Sequence, residues 1–348
     1  MNVGQAARVI ADVYTEGHLR EVPREAVPVW LWGQPGIGKS ACIPLAAKLI
    51  ASELKLPSMG VIDLRAALLD PTDFRGFPFI KDGRTEWAAP CFWPSMESPH
   101  GILFVDELAQ ANAMVQAACL QPACGHRVGE YDLPKGWMFI AASNRKEDGA
   151  GVGRVITPLL DRFLHLEIDP DLDCWMQWAS TADIHPSIIK FLRFRTEFFA
   201  QFSPTTTEKA QPSPRSWEML SRVLPFTGKH QQYEVFSGLV GKACARELVG
   251  FLSAEGGMPD MGEILRCPES APLPASTAGS VNIALSEALI EAAKRDDNAA
   301  MAAATYAVRL PEEVAMMTLP AILAATVAPL KVPSVLDWFV LHRAAVKS

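Results

Sequence analysis

The sequence GQPGIGKSA at positions 33–41 decides the fold of this chain. It matches the pattern G-x-x-x-x-G-K-[ST] at every fixed position and comprises Gly33, Gln34, Pro35, Gly36, Ile37, Gly38, Lys39, Ser40 and Ala41. Glycines let the backbone N–H groups curl around phosphates, and the N-terminus of a following helix attracts anions. An apolar strand predicted over residues 28–32 and a helix over 39–54 supply that context. The stretch therefore predicts an ATP site, with Lys39 on the β- and γ-phosphates and Ser40 on Mg²⁺.

Strand patterns recur through the first half of the chain, at residues 28–32, 59–64, 101–106, 137–142 and 163–168. Helical patterns separate them, including one over 112–123, which predicts a parallel sheet covered by helices on both faces. A Pro- and Gly-rich stretch at 70–93 predicts an inserted loop or hairpin. Beyond residue 170 the signals are helical, among them 281–294 and 335–345, and Pro-rich stretches at 203–214 and 256–279 interrupt them. We expect an α/β nucleotide-binding domain over 1–170, a helical lid over 171–255 and a helical extension over 256–348.

Composition fits a globular protein that works in a reducing compartment. The 348 residues are 49% apolar and 20% charged, with a net charge of −7. No apolar run is long enough to span a bilayer, and the first residues lack a signal-peptide pattern. Seven cysteines occur without a CxxC pair, which argues against a disulfide framework and favours a cytoplasmic protein. The acidic balance disfavours sequence-independent binding to nucleic acid, although a local basic patch would suffice for it.

Two carboxylates follow the apolar strand at 101–106. A side chain at the carboxyl end of a parallel strand lies at the crevice where such sheets bind ligands. Asp106 is expected to hold Mg²⁺ through water, and Glu107 to polarise a water for attack on the γ-phosphate. An acidic pair at a strand end is more often a helix cap, but the glycine-rich loop makes the functional interpretation the stronger one.

Three further polar residues have both a functional and an ordinary interpretation. Asn144 follows the strand at 137–142 and either orients the attacking water or forms a turn. Arg162 is either an arginine finger, which reaches the γ-phosphate of a neighbouring subunit's ATP, or a surface arginine paired with Asp161. Arg215 opens a predicted helix, where it either contacts the γ-phosphate from the lid or faces solvent.

In order and spacing these elements resemble the AAA+ ATPases, specifically the MoxR-like branch. The resemblance rests on a Walker A motif at 33–40, a Walker B motif at 103–107, and positions that match sensor 1, arginine finger and sensor 2. DPTDFRG at 70–76 is similar to the family's D-P-x-D-x-x-G segment, and LLDRF at 159–163 to its finger segment. ELAQAN at 107–112 resembles the pattern that follows Walker B. The resemblance covers residues 5–225.

The resemblance implies a Mg²⁺-dependent ATP hydrolase with an AAA+ fold that forms a ring, usually a hexamer, with ATP bound between subunits. It makes Asn144 the sensor 1 residue, Arg162 the finger and Arg215 the sensor 2 residue, with Arg145 or Arg154 able to share the finger role. It also implies a β-hairpin at about 125–135. MoxR-like ATPases commonly remodel or activate protein complexes with a partner that carries a von Willebrand factor A domain.

A different client remains open on the same ATPase core, namely DNA acted on by a nucleic-acid motor or a defence-complex subunit. That reading requires basic hairpins. The candidate hairpins at 70–93 and 125–135 contain nearly balanced charges, which favours a protein client. Residues 230–348 resemble no family and leave the client unidentified.

Overall fold

The computed structural model describes residues 1–18, 27–95, 97–149, 151–255, 259–274 and 279–342. The chain forms two compact units, Met1–Lys242 and Ala243–Ser348. The finer division into three domains, with boundaries after residues 170 and 255, stays a prediction.

The first unit contains all the strands of the described residues. They are β1 (Val29–Trp32), β2 (Gly60–Arg65), β3 (Phe77–Lys81), β4 (Arg84–Ala88), β5 (His100–Asp106), β6 (Arg127–Val128), β7 (Tyr131–Asp132), β8 (Gly136–Ser143) and β9 (Leu164–Glu167). The helices of this unit begin with α1 (Val3–His18), α2 (Cys42–Glu53), α3 (Pro71–Arg75), α4 (Ala113–Ala118), α5 (Leu120–Gly125) and α6 (Thr157–Leu160). They continue with α7 (Leu172–Ala179), α8 (Pro186–Phe194), α9 (Pro214–Val223) and α10 (Gln232–Val240).

A five-stranded parallel sheet forms the centre of the first unit, as predicted. Its strand order is β2-β5-β8-β1-β9, and every neighbouring pair is parallel. Alternate side chains point to opposite faces, so Leu31 and Ile140 pack into the apolar cluster formed with α1 and α2. Trp30 and Phe139 pack into the cluster on the other face. The sheet is therefore covered on both faces, and the ends of β5, β8 and β1 lie side by side.

The stretch at 70–93 contains a hairpin. Antiparallel β3 and β4 pair from Phe77↔Ala88 to Lys81↔Arg84, and the turn residues Asp82 and Gly83 both have positive φ, at 51° and 72°. A second, shorter hairpin joins β6 to β7. Both predicted hairpins are thus present in the structure.

The helix predicted over residues 112–123 is wrong in one respect, because it is divided into α4 and α5 at Cys119. Pro122 has no N–H to donate to the carbonyl group of Ala118, so the hydrogen-bond ladder of a single helix is interrupted here. The start of the preceding segment is well fixed, since the Asn112 side chain accepts from the backbone N–H groups of Met114 and Val115.

The second unit is helical. After α11 (Lys242–Glu255), which crosses into it, come α12 (Met261–Arg266), α13 (Gly279–Ala293), α14 (Asp297–Ala307), α15 (Glu312–Ala325) and α16 (Pro333–Leu341). Leu285, Leu289, Ala303, Leu319 and Ile322 are among the residues of its core. Of the stretch predicted to be a linker, 256–258 and 275–278 lie outside the described residues, as do 343–345 of the last predicted helix. None of the helices in the described ranges is long and apolar enough to cross a membrane.

Candidate active site

The glycine-rich loop connects the carboxyl end of β1 to the start of α2, which begins at Cys42 rather than at the predicted Lys39. At two of its glycines, any side chain would clash with a neighbouring atom. Gly36 has a φ of 77°, and a Cβ there would lie 2.9 Å from Ser213 Oγ. A Cβ on Gly33 would lie 2.5 Å from the carbonyl oxygen of Ile168. The loop is therefore held between β9 and the start of α9, with its backbone free to face a ligand.

Lys39 lies beneath this loop and is only 8% exposed. Its Nζ donates to the carbonyl oxygens of Gly33 and Gln34, at 2.7 and 2.9 Å, and to Asn144 Oδ1 at 2.8 Å. Burial lowers the pKa of Lys39 to about 8, against the opposing effect of the Asp106 charge. The amino group is thus a buried cation with neutral partners, and an anion placed against it would stabilise its charge.

Asp106 ends β5 with its carboxylate buried. Its Oδ2 accepts from Ser40 Oγ at 2.9 Å and from Arg65 Nη1 at 2.8 Å, and its Oδ1 accepts from the backbone N–H of Glu107 at 2.9 Å. The structure therefore brings together the hydroxyl and the carboxylate that the sequence assigns to one Mg²⁺ ion. Arg65 belongs to the same site because β2 pairs with β5 in a register that places Arg65 beside Asp106.

Glu107 lies one residue further, in the left-handed conformation with φ 61° and ψ 30°. Holding a residue other than glycine there costs about 1–2 kcal/mol, and such outliers cluster at functional sites. The turn is fixed by Ser143, whose Oγ accepts from the backbone N–H of Ala109 and from Trp30 Nε1. Glu107 lines the cavity described below.

Asn144 follows β8, the strand between β5 and β1. Its side chain lies within the site, since Oδ1 accepts from Lys39 and the residue lines the same cavity as Glu107. The amide thus contacts the lysine and lies in the same cavity as the catalytic candidate. Whether it orients water stays a prediction.

Arg215 reaches the site from the helical part of the first unit. Ser213 caps α9 through a capping box with Ser216, which fixes the first turn of this helix. The backbone N–H of Arg215 then donates to the carbonyl oxygen of Gly36 at 3.1 Å, and its side chain lines the cavity. The first turn of α9 is therefore in direct contact with the glycine-rich loop.

Arg162 is not brought into this site. Its side chain is exposed and Nη1 donates to the carbonyl oxygen of Pro158. Arg145, one of the alternatives, forms ion pairs with Glu167 at 2.5 Å and Asp169 at 2.7 Å. The other alternative, Arg154, is exposed.

Lys39, Ser40, Asp106, Glu107, Asn144 and Arg215 line a cavity of about 590 Å³ within the first unit, a size typical of small-molecule sites. The polar part of the lining includes the glycine-rich loop with Asp106, Glu107, Asn144 and Arg215. The apolar and aromatic part, called the aromatic side below, includes Val3, Pro44, Leu45, Trp175, Trp178 and Phe199. The Trp175 ring lies 5.8 Å from that of Trp178 and 5.6 Å from that of Phe199, centroid to centroid.

The donor set fits a magnesium nucleotide. Mg²⁺ prefers oxygen ligands and is usually held by one or two protein groups together with phosphates and water, and Ser40 Oγ and Asp106 Oδ2 provide such a pair 2.9 Å apart. Lys39 and the N–H groups of the loop fit a triphosphate. The aromatic side of the cavity fits a base, because every base has a π-face that stacks on aromatic rings.

No protein-family model and no curated protein matches this chain. Solved structures that match it include a point mutant of Thermotoga maritima RuvB, at 16% identity and a TM-score of 0.40, with 76% of this chain and 74% of that chain covered. NtrX from Brucella abortus in complex with ADP matches at 15% identity and a TM-score of 0.37, covering 87% of this chain and 62% of that one. Likenesses this distant carry no functional argument, which rests on the residues of this chain.

Sequence reasoning missed two features of the cavity. Arg65 ends a strand that has no motif of its own, and the available signal was its position at the carboxyl end of a parallel strand. The aromatic side was missed because Trp175 and Trp178 lie on an ordinary amphipathic helix, α7. The available signal was the pair of tryptophans in the helix that directly follows the last strand of the sheet.

Proposed function

We propose that this chain is a Mg²⁺-dependent AAA+ ATPase of the MoxR type. The observation that carries the proposal is the single cavity shared by Lys39, Ser40, Asp106, Glu107 and Asn144. ATP binds with its phosphates on the glycine-rich loop and its base on the aromatic side. When bound, Mg²⁺ supplies charge neutralisation between the phosphates, and Ser40 and Asp106 hold it.

Three residues of this chain then act on the phosphate end of the nucleotide. Glu107 accepts a proton from the attacking water, and Asn144 orients that water from the neighbouring strand. Arg215 stabilises the negative charge that develops on the γ-phosphate. Because α9 contacts the loop through its first turn, this arginine couples the nucleotide to the helical part of the first unit.

Arg162 acts in a neighbouring subunit. Its side chain lies outside the cavity of its own chain, and a finger supplied in trans is the role that such a position allows. The protein therefore works as a cytoplasmic ring, a hexamer by its resemblance to the family, with ATP at each subunit interface. Arg154, which is also exposed, remains a second candidate.

The client is a protein complex, remodelled together with a partner that carries a von Willebrand factor A domain. Support comes from the two hairpins, in each of which one basic residue faces a carboxylate of the same hairpin. Lys81 lies 3.5 Å from Glu86, and Arg127 lies 3.5 Å from Asp132. Paired charges of this kind are poorly suited to neutralise a phosphate backbone.

Mixing two inactive variants tests this proposal. Lys39→Ala removes ATP binding but keeps the finger, whereas Arg162→Ala keeps ATP binding and lacks the finger. In rings assembled from an equal mixture, one interface in four has both parts, so hydrolysis should return to about a quarter of the parental rate. Arg193→Ala, an exposed arginine on α8, is the matched control and should hydrolyse ATP at the parental rate.

Two outcomes would contradict the proposal. If the mixture stays inactive although both variants join one ring, Arg162 is not the finger. If the parental protein hydrolyses ATP as a monomer with no dependence on concentration, the ring itself is wrong. A protein client is tested separately by adding DNA at moderate salt, since a strong stimulation of hydrolysis would favour a nucleic-acid motor.

A further inference from the structure

Arg65 forms an ion pair with Asp106, one of the two residues assigned to the metal. It lies at the carboxyl end of β2, directly opposite Asp106 in the register of β2 and β5. Its Nη1 donates to Asp106 Oδ2 at 2.8 Å, although the Arg65 side chain is 45% exposed and the Asp106 side chain only 8%. A half-exposed guanidinium is thus the counter-ion of a buried carboxylate.

The other contacts of Asp106 place the guanidinium on the oxygen that faces Ser40. Oδ1 accepts from the backbone N–H of Glu107, which belongs to the turn itself. Oδ2 accepts from Ser40 and Arg65. A cation that binds between Ser40 and Asp106 would therefore share Oδ2 with the guanidinium, whose positive charge opposes it.

We infer that Arg65 competes with Mg²⁺ for Asp106 Oδ2 and thereby sets the metal concentration at which the nucleotide complex forms. The inference rests on the proposed function, because it takes Ser40 and Asp106 as the metal ligands. Arg65 neutralises Asp106 before the metal arrives, and Mg²⁺ displaces it. Arg65 therefore acts on the metal through Asp106, and it makes the metal bind more weakly.

The displaced guanidinium has a place to go. Its Nη2 already lies 3.6 Å from Asp63 Oδ2, on the same face of β2. Both side chains are about half exposed, so the freed arginine is solvated and stays near a carboxylate. Displacement therefore leaves no buried charge unpaired, which would otherwise oppose metal binding.

The test measures metal binding directly. Mn²⁺ replaces Mg²⁺, a non-hydrolysable ATP analogue is present at saturation, and free Mn²⁺ is followed by electron paramagnetic resonance. Arg65→Gln should lower the Mn²⁺ concentration for half-saturation by about two- to fivefold, the range expected when a partly exposed ion pair no longer competes. Arg8→Gln, which removes the same charge from an ion pair on α1, should leave that concentration unchanged.

An unchanged or higher half-saturation concentration in Arg65→Gln would overturn the inference. A damaged structure would weaken metal binding, so tighter binding is a result that a merely structural role of Arg65 does not produce. If Arg65→Gln fails to fold, Arg65→Lys gives the same test, with a smaller decrease because the ammonium group lacks the planar fork. If the parental protein binds no nucleotide at all, the proposed function fails, whereas nucleotide binding with no shift in the variant refutes only the competition.

Discussion

Lys39 should make nucleotide affinity fall as the pH rises above 8. Burial lowers the pKa of this amino group to about 8 in the nucleotide-free protein, and a bound triphosphate would raise it again because an opposite charge favours the charged form. At any pH at which Lys39 has lost its proton in the free protein, nucleotide binding is then accompanied by uptake of a proton. By linkage, affinity decreases with rising pH between the two pKa values.

The size of the effect follows from the pKa of about 8. Lys39 carries its proton in about three quarters of the free molecules at pH 7.5 and in about a tenth at pH 9, so affinity should fall about eightfold over that range. The nucleotide itself contributes little, since the last phosphate proton leaves with a pKa of about 6.

Isothermal titration with a non-hydrolysable ATP analogue at constant ionic strength measures this dependence. In buffers of different ionisation enthalpy, uptake of about half a proton is expected at pH 8 and of about 0.9 at pH 9. Lys39→Arg is the matched control, because its guanidinium keeps the positive charge and does not titrate in this range. A flat affinity in the parental protein, or an equal slope in Lys39→Arg, would refute the reasoning.

Three further predictions test the loop, the cavity and the second unit. Gly36→Ala and Gly83→Ala both place alanine at a positive φ, which costs about 1–2 kcal/mol. At Gly36 a side-chain atom also lies 2.9 Å from the new Cβ, whereas at Gly83 nothing lies within 4 Å. Urea unfolding should therefore show the larger loss of unfolding free energy for Gly36→Ala. Equal losses in the two variants would contradict the predicted clash. Trp178, which is 44% exposed in the cavity wall, should change its fluorescence when ATP binds, and Trp178→Phe should remove most of that change. Thr318→Val leaves the buried Ser286 hydroxyl without its 2.7 Å partner and should cost about 1–3 kcal/mol of unfolding free energy; the double variant with Ser286→Ala should recover much of it, and no recovery would show that the loss has another cause.

Much of the site follows from local sequence. Asp106 and Asn144 could be placed because each follows a buried apolar strand, and parallel strands end at one edge of the sheet. The loop could be placed because its glycines and Lys39 are contiguous. In each case the residues that define the chemistry are close together in the chain.

The parts that escaped prediction depend on which elements become neighbours. Arg65 matters only because β2 pairs with β5 in one register, which no local pattern of the sequence specifies. The Arg215 contact with Gly36 depends on how α9 packs against the loop. The break at Cys119, in contrast, had a local cause in Pro122 and was predictable from it.

The nucleotide that stays bound after incubation with ATP and Mg²⁺ tests the central claim most directly. Protein freed of unbound nucleotide is acid-quenched, and its nucleotide is identified by chromatography. ATP is expected on Glu107→Gln, ADP on the parental protein and no nucleotide on Lys39→Ala. Glu16→Gln, which changes an exposed carboxylate on α1, should behave as the parental protein does. ADP on Glu107→Gln, formed at the parental rate, would contradict it.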